Sequence, residues 1–198
     1  MLLLDYLKEI ELQNPIIESH GNVEKFFLEK NILTLWDAIK YVHELPYGRT
    51  TNRENYFQIL DEKKGACSTK HALIASLAQK LFIPLKLTLG LFLLTPKNTP
   101  QIATILKHYH LEAIPEAHCY LKYNNNTLDI TFPGASEFSF NADLEQEINI
   151  TPEQIGVFKV EKHHAFIEAW VKNKADINFD LIWAAREEWI EKLSKGVC

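Results

Sequence analysis

The stretch GACSTKHALIASLAQKLF, Gly65 to Phe82, decides how the rest of the chain is read. Leu73, Ile74, Leu77, Ala78, Leu81 and Phe82 recur at three- and four-residue spacing, Gly65 breaks regularity before them and Pro84 follows, so the spacing predicts a buried helix with Cys67 in its first turn. First-turn N–H groups lack intrahelical partners and the macrodipole favours negative charge there, which biases a cysteine at this place toward the nucleophilic thiolate. Position alone is equally compatible with a small apolar side chain in a core.

Downstream, AHCYLKYNNNTLDITF from Ala117 to Phe132 has the composition of a β-hairpin: Tyr, Leu, Ile, Thr and Phe favour strands and the Asn run favours a turn. A two-residue turn at Asn124 and Asn125 sets Tyr123 opposite Asn126 and, by extension, Tyr120 opposite Asp129. His118 then shares a face with Tyr120, which makes His118 and Asp129 diagonal neighbours at about 7–8 Å between Cα atoms, within reach of a hydrogen bond. A three-residue turn sets Asp129 on the other face and separates the pair.

The order of these pieces, GAC at a helix start, then IPLKLTLG, then AHCYL on one strand and LDIT on the next, resembles the bacterial-type members of the transglutaminase-like superfamily of papain-like cysteine enzymes. The resemblance runs from about Asp61 to Pro133. It implies an α+β fold with a papain-like core, in which the cysteine-bearing central helix packs on an antiparallel sheet and helical N- and C-terminal extensions pack on that core. It also implies Cys67 as nucleophile, His118 as base and Asp129 as the acid that orients it. Cys119 follows His118 directly, where the family commonly carries an aromatic one residue later.

Outward from this centre, Leu3, Leu4, Leu7 and Ile10 form one apolar stripe near the N-terminus, and Thr34 is placed to cap a helix carrying Leu35, Ile39 and Val42 that ends at Pro46 and Gly48. The stretch from Pro46 to Gly65 reads as a loop and a short helix capped by Thr51 or Asn52. Leu85 to Thr95 is continuously apolar, the mark of a central strand buried on both faces. Pro100 to His110 suggests a helix with proline in its first turn. Lys159 to Lys172 and Asp180 to Lys195 read as amphipathic helices with structural faces built on Phe166, Ile167, Trp170, Leu181, Ile182 and Trp189. No linker divides the chain, so residues 1–198 read as one domain with a core of about 34–133.

Of the 198 residues, 46% are hydrophobic and the formal net charge is −5, a balance that supplies a core but no basic footprint for nucleic acid. No run approaches about 18 consecutive apolar residues, and MLLLDYLKEIEL meets Asp5 too early for a signal-peptide core, which predicts a cytoplasmic protein without a membrane partner. Three cysteines, Cys67, Cys119 and Cys198, form no paired framework and fit a reducing compartment. The eight histidines include His108 with His110 and His163 with His164, but neither pair has a Cys or carboxylate set at structural-zinc spacing, and the seven glycines form no phosphate loop. The reading assigns neither metal nor cofactor.

Further candidates surround the presumed cleft. Tyr47 is placed to supply an oxyanion donor beside the backbone N–H of Cys67. Arg49 can bind a substrate carboxylate, and Glu116, sharing the strand face of His118, a substrate amine. Lys70 and His71 follow Cys67 by about one turn, so Lys70 can lower the thiol pKa and His71 can replace His118 as base. Two functions stand: a cysteine-dependent acyl-transfer enzyme, hydrolase or amidase on a peptide or a small amide or ester, working through a thioester; or a catalytically inactive transglutaminase-like binding module.

Overall fold

Alternation along two long strands divides the core between two faces of a sheet. In the computed structural model, which describes residues 2–134 and 143–196, the helices are α1 (Leu3–Glu9), α2 (Asn22–Glu29), α3 (Leu35–Glu44), α4 (Gln58–Glu62), α5 (Cys67–Lys80), α6 (Ala103–Tyr109), α7 (Val157–Val171) and α8 (Phe179–Ser194). The strands are β1 (Lys86–Leu94), β2 (Ile114–Tyr123), β3 (Asn126–Leu128) and β4 (Leu144–Asn149), paired antiparallel in the order β3-β2-β1-β4. Cys198 lies outside the described residues. Among those residues no helix is long and apolar enough to cross a membrane.

Leu87, Leu89 and Leu91 of β1 and Ala117, Cys119 and Leu121 of β2 pack with Leu73, Leu77 and the helices α1 to α3. The alternate positions Phe92, Leu94, Ile114 and Tyr120 pack with Ile105, Ile167, Ile182 and Trp189 from α6, α7 and α8. Period-two alternation with apolar residues on both sides yields a sheet covered on both faces. β1 is central, as its continuous apolar run predicts.

Thr34 caps α3 through its Oγ1, which accepts from the Asp37 N–H at 3.2 Å, and Leu35, Ile39 and Val42 are all buried. Pro100 opens a short 3-10 turn that leads into α6. Three expectations change. The helix in the 46–65 stretch begins only at Gln58, because Glu62 Oε1 accepts from the Thr51 N–H and Asn52 Oδ1 from the Glu54 N–H; both candidate caps serve the loop instead. Phe82 is 94% exposed at φ 56°, since α5 stops at Lys80 and the reversal turns Ile83 into the core in its place. Leu4 is exposed, because α1 packs through Leu3, Tyr6, Leu7 and its C-cap Ile10, which leave Leu4 on the outer side of the helix. The strand β4, with Glu145, Gln146 and Glu147 exposed at a sheet edge, carries no apolar alternation by which it could be read in advance.

The hairpin has the two-residue turn: Tyr123 lies opposite Asn126, Lys122 opposite Thr127 and Leu121 opposite Leu128, with Asn124 at φ 53°. Asparagine tolerates this left-handed conformation, and a β-branched residue does not. Asn124→Val is expected to lower stability by about 1–2 kcal/mol, while Asn124→Gly leaves it within about 0.5 kcal/mol of the parent, both read from urea unfolding midpoints.

Candidate active site

Cys67 is the first residue of α5, and Ala66 before it is extended. Thr69 Oγ1 accepts from the Ala66 N–H at 3.1 Å, tightening the first turn. The preceding Gly65 bridges back to the loop after α3, donating to Pro46 O at 3.1 Å and accepting from Gly48 N at 3.2 Å. A Cβ on Gly65 would stand 2.8 Å from Lys70 Cγ, so only glycine lets the chain pass here. These contacts fix where the helix begins, and therefore where the thiol sits.

β3 ends at Leu128, one residue short of Asp129. His118 Nε2 and Asp129 Oδ2 are 2.7 Å apart, the pair that the two-residue turn requires. Asp129 Oδ1 also accepts from Thr131 N–H at 2.8 Å. Burial opposes charge on both groups, yet each holds the other ionised: Asp129 stays well below the usual carboxylate range, and His118 is raised to about 10 by Asp129 and by Cys67.

His118 and Cys119, successive residues of β2, both act on the ionisation of the Cys67 thiol. With Nε2 engaged by Asp129, Nδ1 is the ring nitrogen that serves the sulfur. Lys159 Nζ, from α7, stands 3.6 Å from Cys67 Sγ. The Cys67 pKa lies well below that of an ordinary thiol: the Cys119 S–H donates to it, and the charges of Lys159 and His118 favour the thiolate against the cost of burial. Cys119, as donor and fully buried, is pushed well above the ordinary range.

A cavity of about 1070 Å³ opens beside the sulfur, lined in part by Tyr47, Glu116, His118, Phe132, Lys159 and Trp183. Tyr47 is half-buried, its ring 5.1 Å from that of Phe132, and burial together with the Cys67 charge keeps its hydroxyl protonated. Glu116 is not a solvated carboxylate free for an amine. It is buried and held bidentate by Arg186, with Nε to Oε2 and Nη2 to Oε1 both at 3.1 Å, and that guanidinium overcomes burial to keep its pKa near about 2. Arg49 also lines the cavity, but Glu187 occupies its guanidinium through two bonds, and Glu187 receives a third from Arg186. The loop before Cys67 is thereby tied to α8.

Two candidates leave the site. Lys70 is fully buried and its ammonium donates to the carbonyls of Leu45, Thr131 and His43 at 2.5, 2.8 and 3.3 Å, so it neither touches the thiol nor faces the cavity. Burial lowers its pKa to about 8. His71 is equally buried; its Nδ1 donates to Cys67 O at 2.7 Å and its Nε2 accepts from Ile130 N–H at 2.8 Å. Both nitrogens are thus committed to backbone, burial drops the pKa to about 4, and His71 positions Asp129 without replacing His118.

The C-terminal helices, read in advance as structural, supply Lys159, His163 and Arg186 to the cavity wall. Their signal lay in phase rather than composition. Lys159 and His163 stand eight and four residues before the buried Ile167, and Arg186 stands four after Ile182, so each falls on an inward stripe where a polar residue demands a partner. His163 finds one in Pro115 O at 2.9 Å, and burial lowers its pKa to about 4. Among the described residues no group of three His, Cys, Asp or Glu is arranged to hold a metal ion.

In an unfolded chain His118 loses its proton near pH ~6.5 and Cys67 near ~8.5, whereas in the folded chain His118 keeps its own to about 10 and Cys67 has already lost its own. Between about pH 6.5 and 8.5 both states bind one proton at the pair, which then adds no slope to stability. Below about 6.5 the unfolded chain binds more protons and stability is lost as pH drops; above about 8.5 the folded chain binds more and stability is lost as pH rises. In Cys67→Ser, where His118 keeps Asp129 but no thiolate, the alkaline decline is expected to begin already above about pH 6.5. Urea midpoints across the range check this, and parallel profiles for the two proteins would show that thiolate and imidazolium do not titrate as a pair. No family model, curated protein or solved structure matches the chain, and the functional reading rests on this arrangement.

Proposed function

We propose that the protein is a cysteine-dependent acyl-transfer enzyme, a hydrolase or amidase of papain-like, transglutaminase-like design, with Cys67, His118 and Asp129 as its triad. The observation that carries this reading is the placement of a thiol at a helix N-terminus, 3.6 Å from the Lys159 ammonium, together with an imidazole whose Nε2 is held 2.7 Å from a carboxylate, both lining one cavity. A structural cysteine requires none of these partners. A binding module would need the cavity but not the charge arrangement beneath it.

In the reaction the Cys67 thiolate attacks a carbonyl carbon and the oxygen takes up the negative charge. His118 delivers its Nδ1 proton to the leaving amine or alkoxide, and Asp129 keeps the ring oriented throughout. The thioester then yields to water, whose proton returns to His118. The N–H of Cys67, at the first helical position, is one donor for the tetrahedral oxyanion, and the protonated Tyr47 hydroxyl is in the same cavity. The substrate class is a peptide or a small amide or ester, with side groups received by Phe132, Trp183 and Trp189. The free thiols Cys67 and Cys119 suit a reducing compartment such as the cytoplasm.

At pH 6 iodoacetamide is expected to alkylate Cys67 roughly tenfold faster than a cysteine in an unstructured peptide, because a gain in thiolate of ~10²-fold is partly offset by the weaker nucleophilicity of a low-pKa sulfur. Intact-mass and peptide analysis identify the site, and His118→Ala is expected to remove the advantage. Alkylation of Cys67 no faster than the peptide would sink the enzyme reading.

A further inference from the structure

Lys159 is almost fully buried on α7, and Cys67 Sγ is its hydrogen-bond partner. Among the described residues no carboxylate lies within ion-pair distance of it: Glu116, the nearest buried acid in its wall of the cavity, has both oxygens on Arg186. Lys70 shows that a buried ammonium can be held by a cage of carbonyls, but Lys159 has no such cage among the described residues, and an ammonium buried without one is stabilised by an anion beside it. In the resting site that anion is the thiolate. During attack, however, the sulfur becomes a neutral thioether and the charge moves to an oxygen two bonds away. His118 loses its charge to the leaving group at the next step, so its imidazolium cannot follow that charge through the cycle. Lys159 can, because its ammonium stands 3.6 Å from the sulfur and the oxyanion that forms one carbon away takes over the place of the thiolate as its counter-charge.

We infer that Lys159 is a catalytic residue, whose ammonium pairs with the thiolate at rest and transfers its hydrogen bond to the oxyanion as the carbon–sulfur bond forms. The inference rests on the acyl-transfer reading of Cys67 and assigns that reaction a charged oxyanion donor from the C-terminal helices. The flexible stem of Lys159 permits the transfer, since swinging from sulfur to the adjacent oxygen requires only a small rotation, and the cavity that admits substrate lies on the side of the sulfur that Lys159 lines.

Two reagents separate this role from an effect on the thiol alone. Iodoacetamide alkylates Cys67 by displacing iodide from a CH₂ carbon and builds no oxyanion. p-Nitrophenyl acetate gives its acetyl group to the sulfur through a tetrahedral oxyanion, breaking the ester C–O bond and releasing p-nitrophenolate, which needs no proton from His118. With Lys159→Met, measured at pH values where the thiol is fully ionised, alkylation of Cys67 is expected to stay within about threefold of the parent while the p-nitrophenolate burst slows by about 10²-fold or more. Lys159→Arg, which keeps the charge, should recover part of the loss. If methionine unfolds the protein by circular dichroism, Lys159→Gln serves in its place, with at least a tenfold slowing of the burst expected for a neutral donor. Equal slowing of both reagents, or an unchanged burst, overturns the inference. A parent protein that alkylates quickly but shows no acetylated Cys67 overturns the acyl-transfer reading itself, and the role of Lys159 with it.

Discussion

The site depends on one buried cation that takes no part in it. Lys70 leaves α5 one turn past Cys67 and carries its ammonium to the carbonyls of His43, Leu45 and Thr131. Two of these close the C-terminal end of α3, where unsatisfied carbonyls and the helix dipole favour a positive charge. The third belongs to the segment just beyond Asp129. A single atom therefore references the loop that leads to Cys67 and the segment that carries Asp129 to the same helix. His71 repeats the arrangement on the next position, holding Ile130 N–H with one nitrogen and Cys67 O with the other. The placement of Cys67, His118 and Asp129 is supported by backbone hydrogen bonds made by buried side chains, which are costly to break and leave unmade.

The two buried lysines show how surroundings decide the role of a charge. Lys70 is solvated by neutral carbonyls, and burial lowers its pKa to about 8. Lys159 faces a thiolate and stays charged above the ordinary range. Around Cys67 the charges balance in pairs: thiolate with Lys159, His118 with Asp129, Glu116 with Arg186. Such an assembly can be buried at tolerable cost since no member is left alone.

Much of this was legible in local patterns. The cysteine helix follows from its three- and four-residue spacing, the central position of β1 from its continuous apolar run, and the meeting of His118 with Asp129 from counting back from two asparagines. Each of these is a property of a short window of chain. What escaped reading depends on contacts distant in sequence: that Lys70 points away from the thiol and Lys159 toward it is decided by how α3, α5 and α7 pack, and neighbours at helical spacing carry no information about which side of the helix faces a cleft. β4 was hidden for another reason. An edge strand that buries little need not alternate, so Leu144 to Asn149 has the composition of a loop and is a strand only because β1 offers it hydrogen bonds.

That same composition governs how the molecule meets others of its kind. A sheet of four strands has two open margins, each a row of unpaired backbone donors and acceptors on which a foreign strand can template itself. Here one margin is β3, only three residues long, and the other is β4, whose exposed Glu145 and Glu147 would be brought against each other's like charges if β4 of a second copy paired with it in antiparallel register. The apolar run of β1, a hazard if it lay at a margin, is kept in the interior of the sheet, and β2, which β3 pairs only from Leu121 to Tyr123, packs against α5 and α7. Resistance to strand-by-strand aggregation is thus built into the order of the strands as much as into their residues.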